Sequence, residues 1–75
     1  MDLPEKAARA LEVLRRDGRA LRFGVDEICH SGRYRLSVRY RGSDGGEVRL
    51  GLLYSEDREG LEALGVRLRA PAGAL

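Results

Sequence analysis

Arg33-Tyr34-Arg35-Leu36-Ser37-Val38-Arg39-Tyr40-Arg41 is followed by Gly42-Ser43-Asp44-Gly45-Gly46 and then by Glu47-Val48-Arg49-Leu50-Gly51-Leu52-Leu53-Tyr54. Tyr34, Leu36, Val38 and Tyr40 alternate with Arg33, Arg35, Ser37, Arg39 and Arg41, the period of a strand with one buried and one wet face. The polar, glycine-rich run from Gly42 to Gly46 has the length and composition of a hairpin connection. The stretch is therefore expected to be a β-hairpin, and the chain to be built on an antiparallel sheet. A phosphate cradle in the same loop is disfavoured, because such loops normally lead into a helix and this one leads into a strand.

Upstream, Leu3, Ala7, Ala10, Leu11 and Leu14 form one apolar stripe at helical spacing, which predicts a helix over residues 2–17. Asp2 with Glu5 reads as a capping box, Pro4 suits the first turn, and Arg15 and Arg16 suit the negative end of the helix dipole. Gly18 is expected to supply the left-handed cap. Residues 20–30 are expected to form the first strand, with Leu21, Phe23 and Val25 on one face. Strict alternation would carry Glu27 and Cys29 inward with them, whereas a bulge near Asp26 and Glu27 would turn Ile28 in and Glu27 out. The bulge is the preferred reading, since burying an unpaired carboxylate costs several kcal/mol or raises its pKa. Ser31-Gly32 is then the tight turn into the second strand.

Downstream, Ser55 reads as the N-cap of a short helix over 55–64, with Glu56, Asp57 and Glu59 in its first turn and Leu61 and Leu64 facing the core. Gly60 weakens this helix and Gly65 is expected to end it. Val66, Leu68 and Ala70 then alternate with Arg67 and Arg69, which suggests a short fourth strand; a helix continued through Leu68 is the alternative. Residues 71–75 are expected to be a flexible tail on a single domain of residues 1–70.

The expected architecture is a two-layer α+β fold of order α-β-β-β-α-(β). An antiparallel sheet of three strands, with a C-terminal fourth as an option, carries an N-terminal helix and a short second helix on one face. The element order up to the second helix is similar to that of double-stranded-RNA-binding domains. That family opens its second helix with a basic Ser-Lys-Lys-type sequence, whereas Ser55-Glu56-Asp57-Arg58-Glu59 is acidic, so the likeness extends to element order alone.

A chain of 75 residues buries only about 60% of its unfolded surface, so its stability margin is thin and oligomerisation would be a natural remedy. One cysteine, Cys29, allows no intrachain disulfide and fits a reducing compartment. The first residues open directly into an amphipathic segment, so no signal peptide is expected, and no apolar run approaches the roughly 20 residues of a membrane span. A cytoplasmic protein without membrane association is the expectation. Of the 14 basic residues only Lys6 is not arginine, a bias that a GC-rich genome or a heat-adapted host explains as readily as a function.

The distribution of the arginines says more than the net charge of +2. Arg22, Arg33, Arg35, Arg39, Arg41 and Arg49 fall on the sheet face that the helices should leave bare, with Arg67 and Arg69 joining them if a fourth strand pairs. The helices carry Asp2, Glu5, Glu12, Asp17, Glu56, Asp57, Glu59 and Glu62. Closing the hairpin over Gly42–Gly46 sets Arg41 opposite Glu47, Tyr40 opposite Val48, and Arg39 opposite Arg49. Two arginines directly opposed lose up to about 1 kcal/mol unless an anion sits between them. Arg33, Arg35, Arg39, Arg41 and Arg49 are therefore the candidate contact residues.

Three readings of this face compete. The arginines can simply be solvated, blunting the sheet against aggregation. They can form a protein interface, most simply a homodimer or a contact with an acidic partner protein. They can bind RNA or DNA without sequence preference, a reading weakened by the expectation that Phe23, Tyr34, Tyr40 and Tyr54 all lie on the apolar face, where no base could stack. The leading expectation is a non-enzymatic, self-associating binding protein, with nucleic-acid binding as the alternative.

No catalytic, cofactor or metal residue is assigned, and no small-molecule substrate is evident. Cys29 and His30 are adjacent and would point to opposite faces of a strand; Cys29 is expected to be a small buried residue and His30 a surface residue beside the turn. Ser31, Ser37, Ser43 and Ser55 have no visible base.

Overall fold

The computed structural model describes residues 1–70; the expected tail, 71–75, lies outside the described residues. Helix α1 (Glu5–Arg16) is followed by strands β1 (Arg22–Glu27), β2 (Tyr34–Arg41) and β3 (Glu47–Ser55), and by helix α2 (Arg58–Arg69). The strands form an antiparallel sheet in the order β1-β2-β3, so the alternating stretch that decides the fold is its central strand.

The core forms on one side of β2. Leu36 and Val38 are fully buried, and Leu14, Leu52, Leu61 and Leu64 close around them. Phe23 and Val25 of β1 and Leu50 and Leu53 of β3 pack against the edge of this cluster. The two helices supply the leucines from one side, giving two layers in a slab only 18 Å along its short axis. Among the described residues no element covers the other face of the sheet.

The ends of α1 follow the expectation in part. Leu11 and Leu14 are buried and Ala7 and Ala10 half-buried, as the stripe requires. The helix closes with a Schellman motif: the Gly18 amide donates to the Arg15 carbonyl at 3.0 Å and the Arg19 amide to that of Leu14 at 3.3 Å, with Gly18 at φ 71°. Its start differs. Pro4 occupies the N-cap position without any side-chain cap, so the Asp2–Glu5 capping box does not form.

Helix α2 runs through the residues for which a fourth strand was an option. Gly65 does not end it. That glycine is buried, and a Cβ there would stand 3.2 Å from Leu36 Cδ1, so its role is to let α2 approach the sheet closely. Leu61, Leu64 and Leu68 consequently keep their helical spacing against the core. The N-cap is Asp57, whose carboxylate accepts from the Gly60 amide at 3.0 Å; Ser55 sits two residues earlier, and its hydroxyl accepts from the Asp57 amide.

The β1–β2 connection also departs from the expected Ser31-Gly32 turn. The Ser31 amide donates to the Ile28 carbonyl at 3.0 Å, and the two central residues, Cys29 and His30, both have positive φ (49° and 52°), the geometry of a type I′ turn. Histidine is enriched in this region but cysteine is not, and the neighbouring Ser31-Gly32 carries the stronger turn signal, which placed the expected turn two residues too far along. Cys29 is exposed at this turn rather than buried. Strand β1 ends at Glu27 without a bulge; Glu27 is nonetheless exposed, its carboxylate accepting from the Gly32 amide at 2.9 Å.

A bulge does occur, in β3. Leu36 pairs with Leu53 and Ser37 with Gly51, which leaves Leu52 without a partner. Leu52 and Leu53 thereby both join the helix side, and the phase of everything after them is inverted.

Candidate functional site

The antiparallel register turns the bare face into a grid whose rows cross all three strands. One row is Arg22–Arg39–Arg49, the next Gly24–Ser37–Gly51, and the third Asp26–Arg35–Tyr54; Arg41 opposite Glu47 completes the end nearest the hairpin loop. Arg39 and Arg49 oppose each other as expected from the hairpin, and Arg22 extends the pair to three.

Of the candidate contact residues, Arg35, Arg39, Arg41 and Arg49 lie on this face. Arg33 is exposed just before β2, its carbonyl accepting from the Ile28 amide at 2.8 Å. Arg67 and Arg69 do not join the sheet, because α2 carries them.

The separation of charge between layers is less complete than expected, since two carboxylates share the face with the arginines. Asp26 is held by Arg35 at 2.8 Å and by Arg49 at 3.2 Å. Glu47 is held by Arg22 at 3.1 Å and lies 4.0 Å from Arg39. Each carboxylate thus relieves part of the repulsion within the arginine row. Five guanidinium groups (Arg22, Arg35, Arg39, Arg41, Arg49) against two carboxylates leave the face at +3.

The bulge changes what this face can do. Tyr54, expected on the apolar side, is instead directly across from Arg35 and 51% exposed. A Cβ on Gly51 would fall 2.6 Å from the Tyr54 hydroxyl and 3.4 Å from Arg35 Cδ, so the ring lies over the glycine and beside the arginine stem. The adjacent leucines Leu52-Leu53 were the available signal, since they break strict alternation just before Tyr54.

The middle row is a trough of small residues, with Ser37 as its floor. Ser37 is only 4% exposed, and its hydroxyl has no hydrogen-bond partner among the described residues. It is covered by an ion pair: Arg49 and Asp26 occupy opposite corners of the grid, so their contact passes over the serine. Beneath the pair is a cavity of about 60 Å³ lined by Gly24, Val25, Asp26, Ser37, Arg39 and Arg49.

Elsewhere the chain offers less. Among the described residues no three His, Cys, Asp or Glu side chains gather as a metal site, and no helix is long and apolar enough to cross a membrane. The acids of the helices are exposed and partly engaged locally, Glu5 with Arg9, Glu12 with Arg16 and Glu62 with Arg58. No protein-family model matches the chain, and neither a curated protein nor a solved structure matches it.

Proposed function

We propose that the chain is a non-catalytic binding module whose bare sheet face takes single-stranded nucleic acid. The observation that carries this reading is Tyr54, set by the β3 bulge on the same surface as the arginine row. Single-strand readers combine a cationic track for phosphates with aromatic faces for bases, and this surface has both, the arginine row and Tyr54 lying on either side of the Gly24–Ser37–Gly51 row. The three opposed arginines cost folding stability unless anions come between them, and a phosphodiester chain supplies anions at successive positions. Binding a duplex through the start of the second helix, as double-stranded-RNA-binding domains do, is less well supported, because Glu56, Asp57 and Glu59 surround the start of α2 and would repel a phosphate backbone there.

An acidic protein partner is the second reading, favoured by the readiness with which Asp26 and Glu47 already pair with these guanidinium groups. Self-association through two copies of the same face is harder, since each copy brings +3 to the contact. Docking the face on the helices of another copy would be heterologous, and such contacts form a closed ring only where the rotation between copies closes, otherwise an open filament. The exposed single cysteine suits a reducing setting such as the cytoplasm.

The test is fluorescence anisotropy of labelled single-stranded RNA and DNA oligonucleotides, with a duplex as comparison and light scattering for the oligomeric state. Single-strand binding that weakens steeply with salt supports the reading; no binding at low salt rejects it. A concentration-dependent rise in mass without oligonucleotide binding would favour self-association instead.

A further inference from the structure

We infer that the trough beneath the Asp26–Arg49 pair is a subsite for one phosphate oxyanion, with the Ser37 hydroxyl as its floor donor and Arg39 and Arg49 as its walls. The subsite deepens the reading of the bare face as an anion-binding surface and depends on it.

Two features of the trough point to a ligand. Ser37 stands in the middle of the central strand, with a buried hydroxyl that finds no protein partner, a state that is unfavourable unless something from outside satisfies it. Gly24, its neighbour on β1, has nothing within 4 Å of where a Cβ would stand and an ordinary φ, so neither packing nor backbone geometry calls for glycine. Glycine in a strand interior weakens the strand and commonly marks the close approach of a ligand. What Gly24 does is keep the trough open on one side.

The size and donors of the trough select the ligand. A cavity of about 60 Å³ accepts a few water-sized groups, the scale of a single oxyanion and not of a base. The lining offers the Ser37 hydroxyl from below and the Arg49 guanidinium from one side, with Arg39, whose Nε lies 4.0 Å from Glu47, forming the other wall; donors from two directions suit a group with several oxygens. Asp26 is the resident competitor. Arg35 holds it through two hydrogen bonds, at 2.8 and 3.4 Å, and Arg49 through one at 3.2 Å, so Arg49 is the arm more easily released to an incoming anion. When it swings to the phosphate, Asp26 remains anchored on Arg35.

The experiment is a titration of the ¹⁵N-labelled full chain with inorganic phosphate at constant ionic strength, with acetate as a parallel arm, following backbone amide shifts. The subsite predicts saturable shifts centred on Gly24, Ser37 and Arg39 with phosphate and weaker ones with acetate. Ser37→Ala should weaken phosphate by about tenfold, the loss of one hydrogen bond to a charged group. Gly24→Val, which the open space at that position lets fold, should abolish the saturable shifts. Shifts that stay diffuse over all the arginines, or that are indifferent to both variants, would overturn the subsite and leave the cavity as the seat of a trapped water. If oligonucleotides bind while phosphate does not localise, the face reading stands and the subsite falls. If phosphate localises while no oligonucleotide binds, the subsite stands and the nucleic-acid reading falls.

Discussion

Asp26 and Arg49 meet at 3.2 Å across the full width of the sheet, from β1 to β3, and the serine between them is buried by that contact. The pair spans a face that no element among the described residues covers, and it competes with any anion for the same guanidinium group. Neutralising the acid should therefore separate stability from binding. Asp26→Asn is expected to lower stability modestly, by about 1 kcal/mol or less for each partly exposed ion pair lost. It should tighten oligonucleotide binding and steepen its salt dependence, because Arg35 and Arg49 are freed. Thermal unfolding and anisotropy on the same preparation check both signs.

Tyr54 is half-exposed, so its removal should cost little stability and much affinity. Tyr54→Ala is expected to weaken single-strand binding by about 1–3 kcal/mol, the usual worth of one base stacked on an aromatic ring, while leaving the salt slope as it was. Tyr54→Phe should retain most of the affinity. Equal losses in both variants, or none in either, would remove the stacking role.

Gly51 supports that ring from beneath. A Cβ at this position would collide with the Tyr54 hydroxyl at 2.6 Å, so Gly51→Ala must displace the tyrosine. The expected result is a folded protein with a binding defect approaching that of Tyr54→Ala, measured by circular dichroism and anisotropy together.

Two other glycines should respond in opposite ways to one substitution. Gly24→Val adds a β-branched side chain to a strand position with empty space above it, and should be neutral or stabilising by up to about 1 kcal/mol. Gly65→Val forces bulk against the fully buried Leu36 and should destabilise by about 1–3 kcal/mol or more. Denaturant midpoints of the two variants give the comparison directly.

The hairpin and its register were legible because alternation and a five-residue glycine-rich loop leave one register that buries Leu36 and Val38, and Arg39 opposite Arg49 followed from it. Arg22 in the same row was on the expected face, but its partner depended on where β1 turns into β2. That turn is made by Cys29 and His30 at positive φ, a region that histidine favours only weakly beside the glycine of Ser31-Gly32, and cysteine not at all. Tyr54 was misplaced for a different reason: a single unpaired leucine, Leu52, inverts the strand, and only the doubled leucine hints at it. Gly65 was read as a helix stop because a glycine that ends a helix and one that admits a neighbour look alike until the neighbour, here Leu36, is in place. The cover over Ser37 comes from a diagonal contact between strands that are not adjacent, which no local pattern encodes.

The most direct measurement is the affinity of the unmodified chain for a labelled single-stranded oligonucleotide as a function of salt. With three to five guanidinium groups engaging phosphates, the logarithm of the binding constant should fall against the logarithm of salt concentration with a slope of about −2 to −3.5. Absence of binding at low salt, or binding indifferent to salt, would contradict the assignment of the bare arginine face to nucleic acid.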